Sequence, residues 1–155
     1  MTSETTNEIR EVLSEAKRLA KRYRALTGKP LGVTGEVAEF EASRILGLEL
    51  TAARTAGYDA VRKENGATVR LQVKGRCILP GSKPGQRIGK IDIEKEFDGV
   101  LLVLMNEALD ATAIYEADRA AVIEALTAPG SKARNERGAL GVAKFKSIGR
   151  CIWKK

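Results

Sequence analysis

Tyr58-Asp59-Ala60-Val61-Arg62-Lys63-Glu64-Asn65-Gly66-Ala67-Thr68-Val69-Arg70-Leu71-Gln72-Val73-Lys74 reads as two strands joined by a tight turn at Glu64-Asn65-Gly66. Over residues 68–78 the side chains alternate. Val69, Leu71 and Val73 point to one face, and Arg70, Gln72, Lys74 and Arg76 to the other. The first face is core; the second is a row of donors and cations, with Asp59 beside it once the hairpin closes. Aspartate is disfavoured in strands, so Asp59 is either a turn or edge residue or a residue placed there for chemistry. An acid, an acceptor and a lysine meeting on one sheet face is what metal-assisted phosphodiester cleavage requires.

Upstream, Thr34 is expected to cap a helix that runs to Leu46 and ends at Gly47. Glu36 and Glu39 are three residues apart and share a face of that helix, with Ser43 four further on. Glutamates in a first turn serve the helix dipole. Alternatively, one of the two reaches the chemistry at Asp59, and the helix rotation that decides between them is open.

A helix glutamate, then Asp59, then a Gln72-x-Lys74 pair thirteen positions on resembles the PD-(D/E)XK nuclease superfamily, which includes restriction endonucleases and archaeal Holliday-junction resolvases. The resemblance spans residues 35–76. It departs from the pattern at Gln72, where an acid is usual and where the chain resembles the Mrr type of restriction enzyme, and in having no proline before Asp59. The Gly35-x-x-x-Glu39 spacing is similar to that of the junction resolvases. The resemblance implies an α/β fold of the restriction-endonuclease type, a central mixed sheet flanked by helices, here with an added long N-terminal helix. It implies Asp59, Gln72, Lys74 and either Glu39 or Glu36 as catalytic residues. Mg2+ (or Mn2+) is then expected on Asp59, Gln72, the Val73 carbonyl and Glu39, with DNA as the nucleic-acid partner. Since an amide is a weaker ligand than a carboxylate for a hard cation, Gln72 also admits a module that keeps the fold and binds nucleic acid without turnover.

Charge distribution supports a polyanionic partner. The chain of 155 residues has a formal charge of +7. Residues 62–90 hold eight Lys or Arg against Glu64 alone, and residues 128–155 hold eight against Glu136 alone, while residues 91–127 are acidic. Arg70, Arg76, Lys83, Arg87 and Lys90 are the candidate nucleic-acid contacts; Lys83 and Arg87 belong to the Pro- and Gly-rich loop 80–87, which is expected to be flexible. With no histidine in the chain, the Ser-His and Cys-His nucleophile pairs are excluded and hydrolysis must lean on a metal or on lysine. Cys77 and Cys151 lack metal-ligand spacing and are expected as buried free thiols on strands. No Gly cluster has the spacing of a phosphate-binding loop. The polar amino terminus and the lack of a long apolar run lead to the expectation of a cytoplasmic chain with no membrane partner.

The rest of the chain frames this centre. Residues 1–28 form an N-terminal helix closed by Gly28, and residues 29–155 the α/β domain, the two making one compact unit. The helix carries an apolar stripe, Ile9, Val12, Leu13, Ala16, Leu19, Ala20, Tyr23 and Leu26, that packs either on its own domain or on a second subunit, so that a homodimer through this helix is one expectation. Residues 29–32 are a linker and 48–61 one or two short strands. Residues 97–105 are a central strand covered on both faces, with 111–115 as its neighbour. Asp118 caps a helix over 119–126, and residues 130–141 are read as a mobile connection. Phe145, Ile148, Ile152 and Trp153 return to the core as a helix turn and a closing strand.

Overall fold

A computed structural model describes residues 2–28, 30–52 and 57–155, the side chain of Ala133 apart. Lys29 of the expected linker and residues 53–56 of the expected strand segment lie outside the described residues.

The hairpin forms as the sequence leads one to expect. Strand β2 (Ala60–Glu64) meets β3 (Ala67–Cys77) in antiparallel register, Ala60 opposite Leu71 and Glu64 opposite Ala67. Both turn residues have positive φ, Asn65 at 50° and Gly66 at 78°, the geometry that matches the twist of the flanking strands and that Asn-Gly adopts at least cost. Around the hairpin lies a six-stranded sheet in the order β1 (Glu49–Leu50), β2, β3, β4 (Gly99–Met105), β5 (Ala111–Asp118), β6 (Arg150–Lys154). Only β3 and β4 are parallel. All seven residues of β4 are buried, as a strand parallel to its neighbour and covered on both faces must be.

Helices cover the two faces. On one, α2 (Thr34–Leu46) sets Val37, Ala38 and Ala42 against Leu71, Val73, Leu101 and Val103. Its close seat depends on Gly75: a Cβ there would stand 2.5 Å from the Ala38 Cβ and 3.2 Å from the Thr34 carbonyl oxygen. On the other face, α3 (Arg119–Thr127) and α5 (Val142–Ile148) bury Val122, Leu126 and Phe145 against Val100, Leu102 and Leu104. A parallel pair needs a long crossover. Here it is the connection 78–98, without a helix, which lays Ile88, Ile91 and Phe97 onto this second core. The long helix α1 (Ser3–Thr27), capped by the Thr2 side chain and closed by Gly28 at φ 71°, rests on the rim of the first core through Leu13 and Ala20. No described helix is long and apolar enough to cross a membrane.

Four expectations need correction. Thr34 is the first residue of α2 rather than its cap; Val33 holds that position and supplies no side-chain hydrogen bond. Residues 130–141 contain a helix, α4 (Lys132–Arg137), pinned by Arg134, which donates to the carbonyls of Ala128 and Pro129. Both cysteines are free: Cys151 is exposed, on the edge strand β6, and Cys77, the last residue of β3, is only half-buried. The loop before Ile88 is tied down at its end: Arg87 donates to the Ala139 carbonyl and the Ser131 hydroxyl, and its backbone bridges to Gly141.

Candidate functional site

Asp59 stands one residue before β2, where the β2–β3 ladder ends. Its N–H donates to the Leu71 carbonyl at 2.8 Å, although the register pairs Leu71 with Ala60. This one-residue offset has the form of a bulge, which bends a strand and re-aims a side chain. The redirected carboxylate takes the place of a ladder carbonyl: its Oδ2 accepts from the Val73 N–H at 2.8 Å. By the geometry of a strand, the Val73 carbonyl lies along the same edge of β3. Gly57, at φ 94°, lets the approach to Asp59 pass against the backbone of Glu96, whose carbonyl oxygen would lie 2.5 Å from an added Cβ.

Asp59, Gln72 and Lys74 line one polar cavity of about 160 Å³, together with Tyr58 and the lysines Lys90 and Lys95. Alternation on β3 sends Gln72 and Lys74 to the same face, as expected. That face is not open, however. The connection 78–98 folds over it, so Gln72 is buried and the Lys74 ammonium donates to the Lys90 carbonyl at 2.8 Å. Burial lowers the Lys74 ammonium below the ordinary lysine range and nearby Lys95 adds to this, while Asp59 and Glu39 work in the opposite sense.

Glu39 is the helix glutamate that feels this centre. Its carboxyl is pushed up to about 7, first by burial, then by the negative charges of Asp59 and Glu36; Lys74 partly offsets them. Glu36 is exposed and enters only through its charge. The negative charges of Asp59 and Glu36 make ionisation of Glu39 costlier, a cost that a cation between Glu39 and Asp59 would offset. A divalent cation suits such oxygen donors. Among the described residues no three Asp, Glu, Cys or His side chains gather into a ready metal group, so a cation here would rely on Gln72 and Val73 as well as the carboxylates.

The remaining candidates divide. Lys90 lines the cavity and Lys83 is exposed on the loop. Arg70 is engaged: it forms a fork on Asp98, with Nε 3.1 Å from Oδ2 and Nη2 3.2 Å from Oδ1, and reaches Glu96 at 2.9 Å. That pairing also holds the Asp98 carboxyl below its usual range. Arg87 fastens its loop to the segment after α4, and the buried Nε of Arg76 has no hydrogen-bond partner among the described residues. Lys95, Tyr58 and Asp92 also line the cavity, and sequence reasoning missed them. They come from the crossover and from the approach to Asp59, where no periodicity announces a direction; the only signal was the lysine-bearing acidic stretch itself.

A larger cavity of about 490 Å³ lies elsewhere, between α1, α2 and the end of β6. At its wall the buried Glu41 accepts from Arg44 at 3.0 Å and from the Ala111 N–H at 3.2 Å, and Lys17 pairs with Asp110. Its carboxylates are therefore paired within the chain, beside the further cations Arg10 and Lys155, and it reads as a packing gap beneath a lightly seated helix.

No protein-family model matches this chain, and neither does any curated protein sequence.

Proposed function

We propose that this chain is a metal-dependent nuclease that hydrolyses DNA phosphodiester bonds, a Gln-x-Lys member of the PD-(D/E)XK superfamily with a restriction-endonuclease-like fold. The observation that carries the reading is the meeting of Asp59, Gln72 and Lys74 in one cavity, with the Glu39 carboxyl coupled to Asp59 and Lys74. The helix-less crossover departs from the resembled family, in which a helix usually separates the motif strand from the next.

The residues present fit Mg2+ or Mn2+ as hard-oxygen donors: Asp59, Glu39, the Val73 carbonyl and the Gln72 amide would hold it. When bound, the cation supplies charge for the phosphoryl oxygens and a lowered pKa for an attacking water. Asp59 is fixed for its part by the Val73 N–H, which leaves Oδ1 to face a ligand. Lys74, held by the Lys90 carbonyl, presents its ammonium to the charge that develops on the phosphoryl group. Glu39, whose carboxyl burial and the charge of Asp59 push up to about 7, would give up its proton to hold the cation. Lys90 and Lys95 at the cavity mouth draw in the phosphate backbone.

Cleavage of linear, single-stranded and branched DNA in the presence of Mg2+ tests the reading. Products from at least one form, absent with chelator and absent in Asp59→Ala and Lys74→Ala, are expected; cleavage that survives both substitutions removes the mechanism. The neutral, buried Gln72 favours a second reading, a DNA-binding module of the same fold without turnover. It predicts salt-sensitive DNA binding that Mg2+ leaves unchanged.

A further inference from the structure

Helix α1 carries more apolar surface than the body covers. At about 100° per residue, Leu13, Lys17 and Ala20 lie on the side that meets the sheet, and Ala20 is buried there. Val12, Leu19, Tyr23 and Leu26 lie roughly 110° further round the helix axis. They are 64%, 58%, 39% and 77% exposed. With Ile9 and Ala16 they recur at steps of three, four, three, four and three residues. That is a heptad seam, the pattern of a helix that packs lengthwise against another helix of the same period.

The charges flanking the seam specify the occupant. Glu4, Glu8, Glu11 and Glu15 outnumber Arg10 in the first half of α1, and Arg18, Lys21, Arg22 and Arg24 stand in the second, while Lys17 turns to the body and pairs with Asp110. Two copies side by side in parallel would set acid against acid and base against base. Antiparallel, each acidic half lies along a basic half. With Val12 opposite the partner copy's position 23 and Ala16 opposite position 19, Glu15 of each copy faces position 22 of the other, an arginine, and symmetry makes the pair twice. The helix dipole accounts for acid at one end and base at the other, but it does not account for the exposed Val12, Leu19, Tyr23 and Leu26 beside them. Glu15 lies 3.9 Å from Arg18 in its own helix, and both are largely exposed, a weak pairing that leaves the carboxylate available.

We propose that α1 joins two copies of this chain in an antiparallel two-stranded coiled coil along the seam Ile9, Val12, Ala16, Leu19, Tyr23 and Leu26. The contact is independent of the nuclease reading, since the seam and the cavity are separate surfaces.

Sedimentation velocity on the full chain over a range of concentrations tests it. The expected result is a reversible dimer, weakened about tenfold or more by Leu19→Asp, whose side chain is exposed in the single chain and whose replacement leaves the far-ultraviolet circular dichroism unchanged. Glu15→Arg and Arg22→Glu each weaken the dimer, and the double exchange E15R/R22E restores it, because antiparallel pairing reverses both partners together. A monomer at all concentrations, a dimer indifferent to Leu19→Asp, a double exchange no better than the singles, or association only with a different protein would each overturn the proposal.

Discussion

Glu39 behaves unlike any other acid described in the chain, and its protonation sets two expectations. Its folded-state pKa of about 7 lies above the ordinary value of 4.5, so between these values the folded protein holds a proton that the unfolded chain has lost. Stability therefore falls as pH rises from 4.5 to about 7 and levels off above. The carboxyl is half-buried and screened by solvent, which limits the cost to about 1 kcal/mol. Glu39→Gln should raise the melting temperature of the metal-free protein by about 2–4 °C at roughly pH 8 and leave it unchanged below pH 4.5; thermal scans across pH check both. Lys74 gives the second residue-scale prediction. In the proposed mechanism it stabilises charge in the transition state rather than the fold, so Lys74→Ala should lower kcat by about 100- to 1,000-fold without lowering the melting temperature. Glu39 shows where sequence reasoning stops. Its spacing from Glu36 was legible, but which of the two feels Asp59 depends on the rotation of α2, and that is set by the contact of Ala38 with Gly75.

At the scale of elements, the site is held by the seat of α2 on β3. Gly75→Ala forces Ala38 and the Thr34 carbonyl apart, and overpacking of this kind costs about 1–3 kcal/mol. Because α2 carries Glu39, the same substitution should lower cleavage as well as the denaturation midpoint, a joint loss that Lys74→Ala does not show. The hairpin, β4 and α3 were legible because each combines a period with a punctuation mark: Asn65-Gly66, an unbroken apolar run, and Asp118, whose carboxylate accepts from the Ala121 N–H at 2.8 Å. The crossover 78–98 was legible only as a connection. Its packing onto the polar face of β3 follows from Ile88, Ile91 and Phe97 finding the second core, a tertiary effect that no local pattern encodes. Helix α4 was missed for a related reason: its six residues are polar, and what steadies them is Arg134 binding back to the end of α3.

For the molecule as a whole, the net charge of +7 overstates the cations facing outward. The acidic stretch 91–127 does not stand apart from the basic segments. It threads through them, with Asp98 and Glu96 on Arg70 and Glu116 on Arg62 and Arg150, and it reaches α1 through Asp110 on Lys17. Lys90 and Lys95 are exposed and line the cavity, and Lys83 is exposed on its loop. Substituting Lys83 or Lys95 with alanine should reduce the slope of log affinity for DNA against log salt by about 0.9 each, whereas Arg70→Ala should leave the slope unchanged; fluorescence anisotropy over a salt series reads both. The convergence of Asp59, Glu39, Gln72 and Lys74 on a single cation is the claim on which the functional reading stands. Magnesium titration by calorimetry, on the wild type and on Asp59→Ala, tests it most directly. The account predicts one site per chain, proton release near pH 7 as Glu39 gives up its proton to bind, and no binding in Asp59→Ala. Magnesium binding that is absent from the wild type, or that persists unchanged in Asp59→Ala, would contradict it.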